Sequence, residues 1–514
     1  MTQIVKAPLF EQLIAHAQSD PASFHVPGHR YGGAFQTGAE QQGRIEALAR
    51  QWFMPLMRLD ATELSATDDL HHPESAIKEA EQLAARLYGA DHTYFLVGGS
   101  TAGNIAMLLA VCDPGDTVIV QRNVHKSVLN GLKLVGASAV FVMPEIDETT
   151  GIPTIPTVRR IEEALMRYPQ TKAVLLSNPN YYGMGVVLDD YAEAVHRFGI
   201  PLLVDEAHGA HYGFHPELPR SSLRAGADGV VQSAHKTLHA LTMGAWLHMQ
   251  GDRIDRGRLT EALAMIQSSS PSFPIMASLD ISRAIVEEKG EALFHASIQS
   301  SKRFRSELGN CCSSLATVDT LSGDASHYAD PLRVLLTDRS GAWSGYRLQQ
   351  ELEIRGCWAE MADPRHVLLL FGLQTGERDV EFLLAACREI DVLIKSDAES
   401  EIYQSVRANP TAMGCQTSEG RSSGDAVQMG SEPVSQPVSF ARSHSRASEA
   451  VPVEAAAGRI AAEMLVPYPP GIPLVYAGEQ LTEAMTKYIV RLAEQGAKFQ
   501  GASDPRMTTV RCYV

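Results

Sequence analysis

The stretch Ser233-Ala234-His235-Lys236-Thr237 stands between two apolar runs with the composition of buried strands, Gly229-Val230-Val231 and Ala245-Trp246-Leu247. A lysine between buried strands is costly unless its stem lies along apolar surface, its ammonium is paired, or its amine is used chemically. The chemical use is imine formation, in which a desolvated amine condenses with an aldehyde. A lysine in an exposed loop is the alternative, and this stretch alone leaves both open.

The residues around this stretch, from about 75 to 250, alternate short apolar runs with amphipathic segments. The apolar runs predict strands, and the amphipathic segments between them predict helices. The predicted strands are 93–97, 117–120, 139–142, 173–176, 201–205, 229–231 and 245–247. Short buried strands separated by helices indicate a parallel sheet that is covered on both faces and has right-handed crossovers.

The 514 residues are too many for one compact core and predict several units. Residues 1–55 predict an N-terminal arm, since a short helical pattern leads into the polar turn His25-Val26-Pro27-Gly28-His29-Arg30. Residues 397–449 are rich in Ser, Gln and Gly and predict a flexible insertion. The predicted units are a 1–55 arm, a 56–300 large domain, a 301–396 small α/β domain, a 397–449 insertion and a 450–514 C-terminal segment. Helices are expected in that segment at 455–464 and 481–494.

The composition excludes several classes of partner. The net charge is −16, whereas a nucleic-acid phosphate backbone needs a basic face. The first residues lack the apolar segment of a signal peptide, and no apolar run reaches the roughly 20 residues that span a bilayer. The seven cysteines include no CxxC pair, which favours reduced thiols. We therefore expect a cytoplasmic protein with no nucleic-acid or membrane partner.

Several polar groups follow predicted strands, and ligands bind at the carboxyl ends of the strands in a parallel sheet. Gly98-Gly99-Ser100-Thr101 lies between a strand and a helix, where N–H groups and hydroxyls can hold a phosphate; an ordinary helix cap is the alternative. Asp205 ends an apolar strand and needs a cation or hydrogen-bond donors if it is buried. His125 follows another strand and can stack on a planar ring or pack in the core. Asp205 could instead join His208 and His211 in binding a metal ion.

Together these groups match one cofactor better than any of them does alone. A phosphate site, a ring-sized imidazole, a strand-end carboxylate and a strand-flanked lysine occur in that order in one predicted sheet. Pyridoxal 5'-phosphate (PLP) needs such a set, because the protein supplies the Schiff-base lysine, a partner for the pyridine nitrogen and a phosphate cradle. The sequence therefore predicts PLP bound through Lys236, with no metal ion.

The chain resembles the bacterial Orn/Lys/Arg decarboxylases among the fold-type I PLP enzymes, in the shorter form without an N-terminal receiver-like domain. The resemblance covers nearly the whole chain outside 397–449. The stretches that carry it are His25–His29, Asp68–His71, Gly98–Asn104, Asn123–Ser127, Asp205–His211, Ser233–Leu238 and Pro467–Pro473. The sequence departs from the family pattern with Ser75 for glycine, Asn180 for threonine, and His239 and Met243 for proline and glutamine.

That resemblance implies an α/β fold of the fold-type I PLP-dependent transferases, with a mostly parallel central sheet in the large domain and a small C-terminal α/β domain. It implies that Lys236 binds PLP, that Asp205 keeps the pyridine nitrogen protonated, and that His125 stacks on the ring. His208 would lie near the phenolic oxygen of the cofactor. The residues implied to hold the phosphate are Ser100, Thr101, Ser233 and His235. Glu479 is the candidate partner for a distal cation on the substrate.

The implied activity is decarboxylation of a basic L-amino acid, arginine, lysine or ornithine, to its amine and CO2. Arginine is the first choice, since the short form includes arginine enzymes. Lys236 or His235 would return a proton to the α-carbon. The family also implies a homodimer or higher homo-oligomer with the active site at the subunit interface. Another fold-type I enzyme, an aminotransferase or a β-eliminating lyase, is the nearest alternative, and a non-catalytic regulator is the next.

Overall fold

One large mixed β-sheet forms the centre of the fold. The computed structural model describes residues 4–35, 43–318, 326–408, 432–441, 447–468 and 471–514. Its strands are β1 (His92–Leu96), β2 (Thr117–Gln121), β3 (Ser138–Val142), β4 (Val174–Ser177), β5 (Met184–Val186), β6 (Leu202–Asp205), β7 (Gly229–Gln232), β8 (Ala245–Met249), β9 (Leu315–Val318), β10 (His327–Ala329), β11 (Arg333–Asp338), β12 (Met361–Ala362), β13 (His366–Leu370), β14 (Val438–Ser439), β15 (Ser448–Pro452), β16 (Val466–Tyr468), β17 (Lys498–Gln500) and β18 (Thr509–Tyr513).

The helices cover both faces of this sheet and build the smaller units. They are α1 (Pro8–Gln18), α2 (Arg44–Met57), α3 (Ala76–Tyr88), α4 (Gly99–Val111), α5 (Lys126–Val135), α6 (Val158–Arg167), α7 (Asp189–His196), α8 (Ala234–Thr237), α9 (Arg256–Ile266), α10 (Phe273–Lys289), α11 (Ala292–Cys311), α12 (Gly345–Ile354), α13 (Glu377–Ala408) and α14 (Glu483–Glu494). Short 3-10 helices span Gly33–Phe35, Ser222–Ala225 and Val453–Ala455. Within the described ranges no helix is both long and apolar enough to cross a bilayer.

The large sheet is mostly parallel, as the sequence predicted. Its strand order is β1-β8-β7-β6-β4-β2-β3-β14. The pairs β7-β6, β6-β4, β4-β2 and β2-β3 are parallel, while β8 runs antiparallel to both β1 and β7. Because β8 reverses direction against both neighbours, β1 points the same way as the parallel strands. The carboxyl ends of β1, β2, β6 and β7 therefore lie on one edge of the sheet.

Both faces of this sheet are buried, which explains why its strands consist of continuous apolar runs. Leu202, Val204 and Val230 are fully buried in a core shared with α3, α6, α7 and α10. Leu203 and Val231, the neighbours that point the other way, are fully buried in a second core with α4, α5 and α9. Each such Val or Leu contributes about 1.5–3 kcal/mol by leaving water.

Helix α4 lies unusually close to the sheet because of one glycine. A Cβ atom at Gly103 would come within 2.7 Å of Val231 Cγ2 and 2.8 Å of Leu96 Cδ1. Only a residue without a side chain allows the helix to rest directly on β1 and β7. This contact carries the N-terminus of α4 to the carboxyl ends of those strands.

A second, smaller sheet confirms the predicted small α/β unit. Its strands are antiparallel, in the order β12-β13-β11-β9; helices α11 and α12 pack against it, and α13 packs on those two helices. Strand β10 leaves this unit and pairs with β5, which places Ala329 opposite Met184. The boundaries at 301–396 remain a prediction.

The C-terminal segment is mostly extended where the sequence predicted a helix at 455–464. Gly458 takes a φ of +82°, in the left-handed region that ends helical turns. Ala461 then bridges to Cys512 instead of continuing a helix. The strand pairs β15-β18 and β16-β17 complete this unit, and the helix predicted at 481–494 is present as α14.

The structure differs from the predicted flexible insertion at 397–449 at both ends of that range. Helix α13 continues to Ala408, since no glycine or proline interrupts it. Further on, β14 adds to the edge strand β3, and Val434 and Phe440 are buried. The polar composition of the segment as a whole concealed these apolar residues. The remainder of the predicted insertion lies outside the described residues, at 409–431 and 442–446.

The two helices of the N-terminal arm differ in burial. In α1, Leu9 and Leu13 are buried, and the Asp280 carboxylate accepts hydrogen bonds from the N–H groups of Leu9 and Phe10. Helix α2 has no buried residue. Its exposed apolar side chains, spaced three or four residues apart, are Ile45 (73%), Leu48 (42%), Trp52 (73%) and Leu56 (39%). This spacing puts them on one side of the helix, which we call the α2 apolar face.

Candidate active site

The carboxyl end of β6 carries a buried carboxylate. Asp205 is the last residue of the strand and is only 5% exposed. Its Oδ2 accepts a hydrogen bond from Asn104 Nδ2 at 2.7 Å, and its Oδ1 accepts one from the backbone N–H of Ala207 at 3.1 Å. Both donors are neutral, so neither brings a positive charge to the carboxylate, and a cationic ring nitrogen would suit this position.

The imidazole of His125 belongs to the same network. It caps α5 by accepting a hydrogen bond at Nδ1 from the N–H of Ser127, whose Oγ lies 2.8 Å from the same nitrogen. Asn104 Nδ2 donates to that Oγ at 3.0 Å, which couples His125 to Asp205. Burial lowers the pKa of His125 to about 4, although Asp205 opposes the shift. The ring is therefore neutral near pH 7, the form suited to stacking on a flat cofactor.

Helix α8 holds Lys236 beside an imidazole. Its Nζ lies 3.0 Å from His208 Nε2 and 5.7 Å from the centre of the Tyr181 ring. Burial lowers the pKa of Lys236 to about 8; Asp205 opposes this shift and Arg333 adds to it. The neutral amine, which is the nucleophilic form, is therefore well populated near pH 8.

Strand β11 brings a cation from the smaller sheet to His208. Arg333 opens this strand; its Nη2 lies 2.8 Å from His208 Nδ1, and its Nη1 donates to the carbonyl of Tyr181 at 3.0 Å. The Tyr181 ring packs edge-on against His208 with ring centres 4.4 Å apart. Its hydroxyl donates to Glu360 Oε1 at 2.9 Å. This cluster joins the two sheets beside Lys236.

The N-terminus of α4 meets the loop after Lys236. Gly98 caps this helix and has no side chain to satisfy the free N–H groups of the first turn, which contains Ser100 and Thr101. A Cβ at Gly99 would lie 3.9 Å from the carbonyl oxygen of Met243. These N–H groups and hydroxyls offer donors to an anion.

Two further hydroxyls lie in the Ser233–Thr237 stretch. Ser233 is fully buried, and among the described residues its Oγ and the Oγ1 of Thr237 have no hydrogen-bond partner. His235 is held nearby, with Nδ1 3.0 Å from the carbonyl oxygen of Gly244. Buried hydroxyls without a partner are costly, so a ligand such as a phosphate is expected to engage them.

An open cavity of about 380 Å³ gives access to the lysine. The residues that line it are Lys236, Thr237, Leu238, His239, Gly372, Leu373 and Gln374. His239, one of the departures from the family pattern, therefore borders the same cavity as Lys236.

The structure places Glu479 against a buried arginine of its own chain. Arg122 Nη2 lies 3.1 Å from Oε1 and 2.9 Å from Oε2 of Glu479, and the N–H of Tyr476 also donates to Oε2. Arg122 further donates to the carbonyls of Pro473 and Leu474. Burial raises the pKa of Glu479, although Arg122 opposes the shift. The carboxylate thus anchors the proline-rich segment, and its role toward substrate stays a prediction.

Asp205, His208 and His211, the residues of the metal alternative, each have a different polar neighbour. Their polar neighbours are, in order, Asn104, Lys236 and Asp330. In the part of the chain that the structure describes, no three His, Cys, Asp or Glu side chains are arranged to hold a metal ion.

PLP carries an aldehyde, a pyridine nitrogen and a phosphate, and the edge of the sheet offers a group for each. Lys236 has an amine whose pKa of about 8 leaves much of it neutral near that pH, Asp205 has neutral hydrogen-bond donors, and Ser233 has a hydroxyl without a described partner. The residues present therefore fit PLP. The fold is that of the fold-type I PLP-dependent enzymes.

Comparison with protein families identifies the family to which this chain belongs. The Orn/Lys/Arg decarboxylase major domain matches residues 7–379, and the C-terminal domain of the same family matches residues 424–504. The chain belongs to the Orn/Lys/Arg decarboxylase family, as the sequence motifs indicated.

Individual relatives agree with this family. The uncharacterised protein YaaO of Bacillus subtilis (strain 168) is 40% identical over 99% of both chains. The arginine decarboxylase of Bacillus anthracis is 32% identical over 98% of this chain and 97% of its own length. Among solved structures, lysine decarboxylase A from Pseudomonas aeruginosa superposes with a TM-score of 0.79 at 22% identity, covering 99% of this chain and 80% of that one.

Sequence reasoning missed four groups at this site, namely Asn104, Tyr181, Arg333 and Glu360. Asn104 had a usable signal, since it is a polar residue among the apolar residues of α4. Arg333 gave none, because a basic residue at the start of a strand is ordinary. Its contact with His208 joins residues 125 positions apart.

Replacing Asn104 with leucine should destabilise the cofactor-free protein. The side chain is fully buried, and its loss leaves Asp205 Oδ2 and Ser127 Oγ without a donor, which costs roughly 1–3 kcal/mol. Urea unfolding of the variant should therefore have a lower midpoint than that of the wild type.

The matched control replaces both partners, as Asn104→Leu with Asp205→Leu. The double variant has neither the Asp205 carboxylate nor its donor, so no acceptor is left unpaired at Asp205. Its loss of unfolding free energy should therefore be smaller than the sum of the losses in the two single variants. An unchanged midpoint for Asn104→Leu would contradict the coupling.

Proposed function

We propose that this protein uses PLP bound through Lys236 to convert a basic L-amino acid, with arginine preferred, to its amine and CO2. The observation that carries the proposal is the Lys236 amine, whose pKa is lowered by burial to about 8 beside the buried Asp205. Membership of the decarboxylase family supports the reaction. The Bacillus anthracis arginine decarboxylase, which matches nearly end to end, supports arginine.

Under this proposal each part of the cofactor has a partner. Asp205 keeps the pyridine nitrogen protonated, His125 faces the ring and His208 lies near its phenolic oxygen. The groups proposed for the phosphate are the first turn of α4 with Ser100 and Thr101, together with Ser233 and His235. When bound, PLP supplies an electron sink for the electron pair released as CO2 leaves.

The proton that replaces the carboxylate comes, in this proposal, from Lys236. Since the carbonyl of Gly244 can only accept, His235 Nδ1 must carry the proton that lies between them. Burial lowers the pKa of His235, which favours the neutral ring. In that neutral ring the single proton is on Nδ1, so Nε2 has no proton to donate. Lys236 exchanges its proton near pH 8, which favours it as the acid.

A basic substrate also needs a partner for its distal cation. The predicted partner, Glu479, is already engaged by Arg122. Glu360 is exposed, and its carboxylate accepts a hydrogen bond from the Tyr181 hydroxyl. The negative charge of Glu360 also raises the pKa of Lys236 and so opposes the effect of burial. We therefore add Glu360 as a second candidate for this role.

We also propose a homodimer whose interface includes the α2 apolar face and lies close to the active site. Apolar side chains in such numbers on one face of a helix are typical of an interface, because leaving them in water is unfavourable. Phe24 and Val26 of the same arm are also 94% and 64% exposed. One protomer would cover these groups on its partner.

A cytoplasmic location completes the proposal. The described cysteines are free thiols, and the Sγ atoms of the adjacent Cys311 and Cys312 lie 3.6 Å apart without a disulfide. Reduced thiols are typical of the cytoplasm.

The PLP-saturated protein should release CO2 from L-arginine and form the corresponding amine, with slower turnover of L-lysine and L-ornithine. Mass spectrometry of the amine made from each amino acid measures this preference. Borohydride reduction of the same sample should leave a pyridoxyl group on Lys236, because its neutral amine faces the cofactor site.

The control is Lys126→Ala, which removes a lysine that follows His125 and binds Gln500. This variant should keep the pyridoxyl group on Lys236, and Lys236→Ala should lose it. An adduct on another lysine would contradict the role of Lys236, and CO2 release from neutral or acidic amino acids alone would contradict the substrate class.

The two acidic candidates can be separated by Glu360→Gln and Glu479→Gln. If Glu360 holds the distal cation, its variant should raise the KM for arginine roughly tenfold while kcat and PLP affinity change little, as expected for loss of one charged contact. A KM increase in Glu479→Gln alone would return the role to Glu479. Unchanged KM in both variants would exclude both residues.

Analytical ultracentrifugation should show a dimer that Trp52→Lys weakens by about tenfold or more in Kd, since the substitution puts a charge in the centre of the α2 apolar face. Trp358→Lys is the matched control, because Trp358 is 80% exposed on the smaller unit. A monomeric wild type, or equal dissociation in both variants, would contradict this interface.

A further inference from the structure

A chain of buried polar side chains runs from the smaller sheet to Lys236. His211 Nε2 lies 3.0 Å from Asp330 Oδ2, and Arg333 Nε lies 3.7 Å from the same oxygen. Arg333 Nη2 reaches His208 Nδ1 at 2.8 Å, and His208 Nε2 reaches Lys236 Nζ at 3.0 Å. The decarboxylation chemistry proposed above gives none of these four contacts a role.

The side chain of Arg333 is held in one place. It is almost fully buried, and its Nη1 donates to the carbonyl of Tyr181. A Cβ at Gly183 would lie 2.5 Å from Arg333 Cδ, so the backbone of that turn rests directly on the arginine. Burial raises the pKa of Asp330, but His211 and Arg333 together hold it below its ordinary value. The Arg333 side chain is therefore held by the Tyr181 carbonyl and the turn at Gly183 on one side and by Asp330 on the other.

The position of Arg333 determines where His208 carries its proton. A guanidinium has donors and no acceptor, so His208 Nδ1 must accept the hydrogen bond from Nη2. Burial, Lys236 and Arg333 all lower the pKa of His208 well below its usual value, so the ring is neutral. A neutral imidazole that accepts at Nδ1 carries its single proton on Nε2.

The His208 tautomer protonated on Nε2 determines which form of the Lys236 amine can bind to it. Nε2–H donates a hydrogen bond, and the group 3.0 Å away must accept it. An ammonium has three donors and no lone pair, whereas the neutral amine has one lone pair. The contact between His208 and Lys236 is therefore made by the neutral amine.

We propose that Arg333 is a positioning residue that fixes His208 as the tautomer protonated on Nε2, and that His208 thereby holds the Lys236 amine as a hydrogen-bond acceptor. The consequence for imine formation rests on the proposed function of Lys236, but the tautomer and the amine can be measured without cofactor or substrate. Among the described residues, the charged and titratable groups around this amine are His208, Asp205, Arg333, Glu360, His125, His235 and Tyr181.

The test measures the Lys236 amine in the cofactor-free, full-length protein. Trace labelling with acetic anhydride from pH 6 to 10, read by peptide mass spectrometry against the exposed Lys289, follows the neutral amine. In the wild type the midpoint should lie near 8. Arg333→Gln should raise the midpoint by about one pH unit and cut labelling at pH 7.5 roughly five- to tenfold. Arg333→Lys, which keeps a cationic donor, should restore most of the wild-type profile.

The variant His208→Phe separates a path through the imidazole from direct charge repulsion. If Arg333 acts through His208, adding Arg333→Gln to His208→Phe should move the midpoint by less than half as much as in the wild-type background. An equal shift in both backgrounds would mean that Arg333 acts by its charge alone and would overturn the proposal.

The His208 tautomer can also be measured directly in the wild-type protein, which does not require that the Arg333 variants fold. With histidine rings labelled with ¹⁵N, the His208 signal, identified by its loss in His208→Phe, should report a proton on Nε2 and none on Nδ1. A proton on Nδ1 would overturn the inference and leave the proposed function intact. A pyridoxyl adduct absent from Lys236 would overturn the proposed function and leave this tautomer intact.

Discussion

A carboxylate buried at the end of a strand must be balanced before the fold around it is stable, and Asp205 is such a group. Its hydrogen-bond donors, Asn104 and the N–H of Ala207, are neutral, and a positive charge that acts on it is that of protonated Lys236. Because Asn104 also binds Ser127, which holds His125, a change at Asp205 reaches His125 through three hydrogen bonds. A ligand cation bound at Asp205 would add a second counter-charge and would thereby stabilise the folded protein.

The geometry of two sheets brings the remaining groups to this carboxylate. The parallel strands align their carboxyl ends, and the close contact at Gly103 adds the N-terminus of α4 to the same edge. The smaller sheet then contributes Arg333 from the first position of β11. The large sheet alone would leave His208 Nδ1 without this donor. The site is thus completed by both units, and its electrostatics depend on how they pack.

The sequence predicted the strands of the large sheet well, because double burial makes each of them a continuous apolar run. Lys236, Asp205 and His125 could be found for the same reason, since a polar residue at the end of such a run stands out. Arg333 could not, because its partner is 125 residues away and only the packed fold brings the two together. The prediction of a helix at 455–464 was wrong, because apolar spacing carries no information about the left-handed backbone at Gly458.

Arg122 has a consequence for how the protein is made. Its guanidinium is buried, and its acceptors Pro473, Leu474 and Glu479 lie about 350 residues further along the chain. During synthesis on the ribosome this cation has none of those partners until nearly the whole polypeptide has emerged. A product truncated before Pro473 would lack all three acceptors, so its guanidinium would lose the hydrogen bonds that compensate its charge in the full-length fold. The contacts of this guanidinium are therefore complete only in a chain that extends to Glu479.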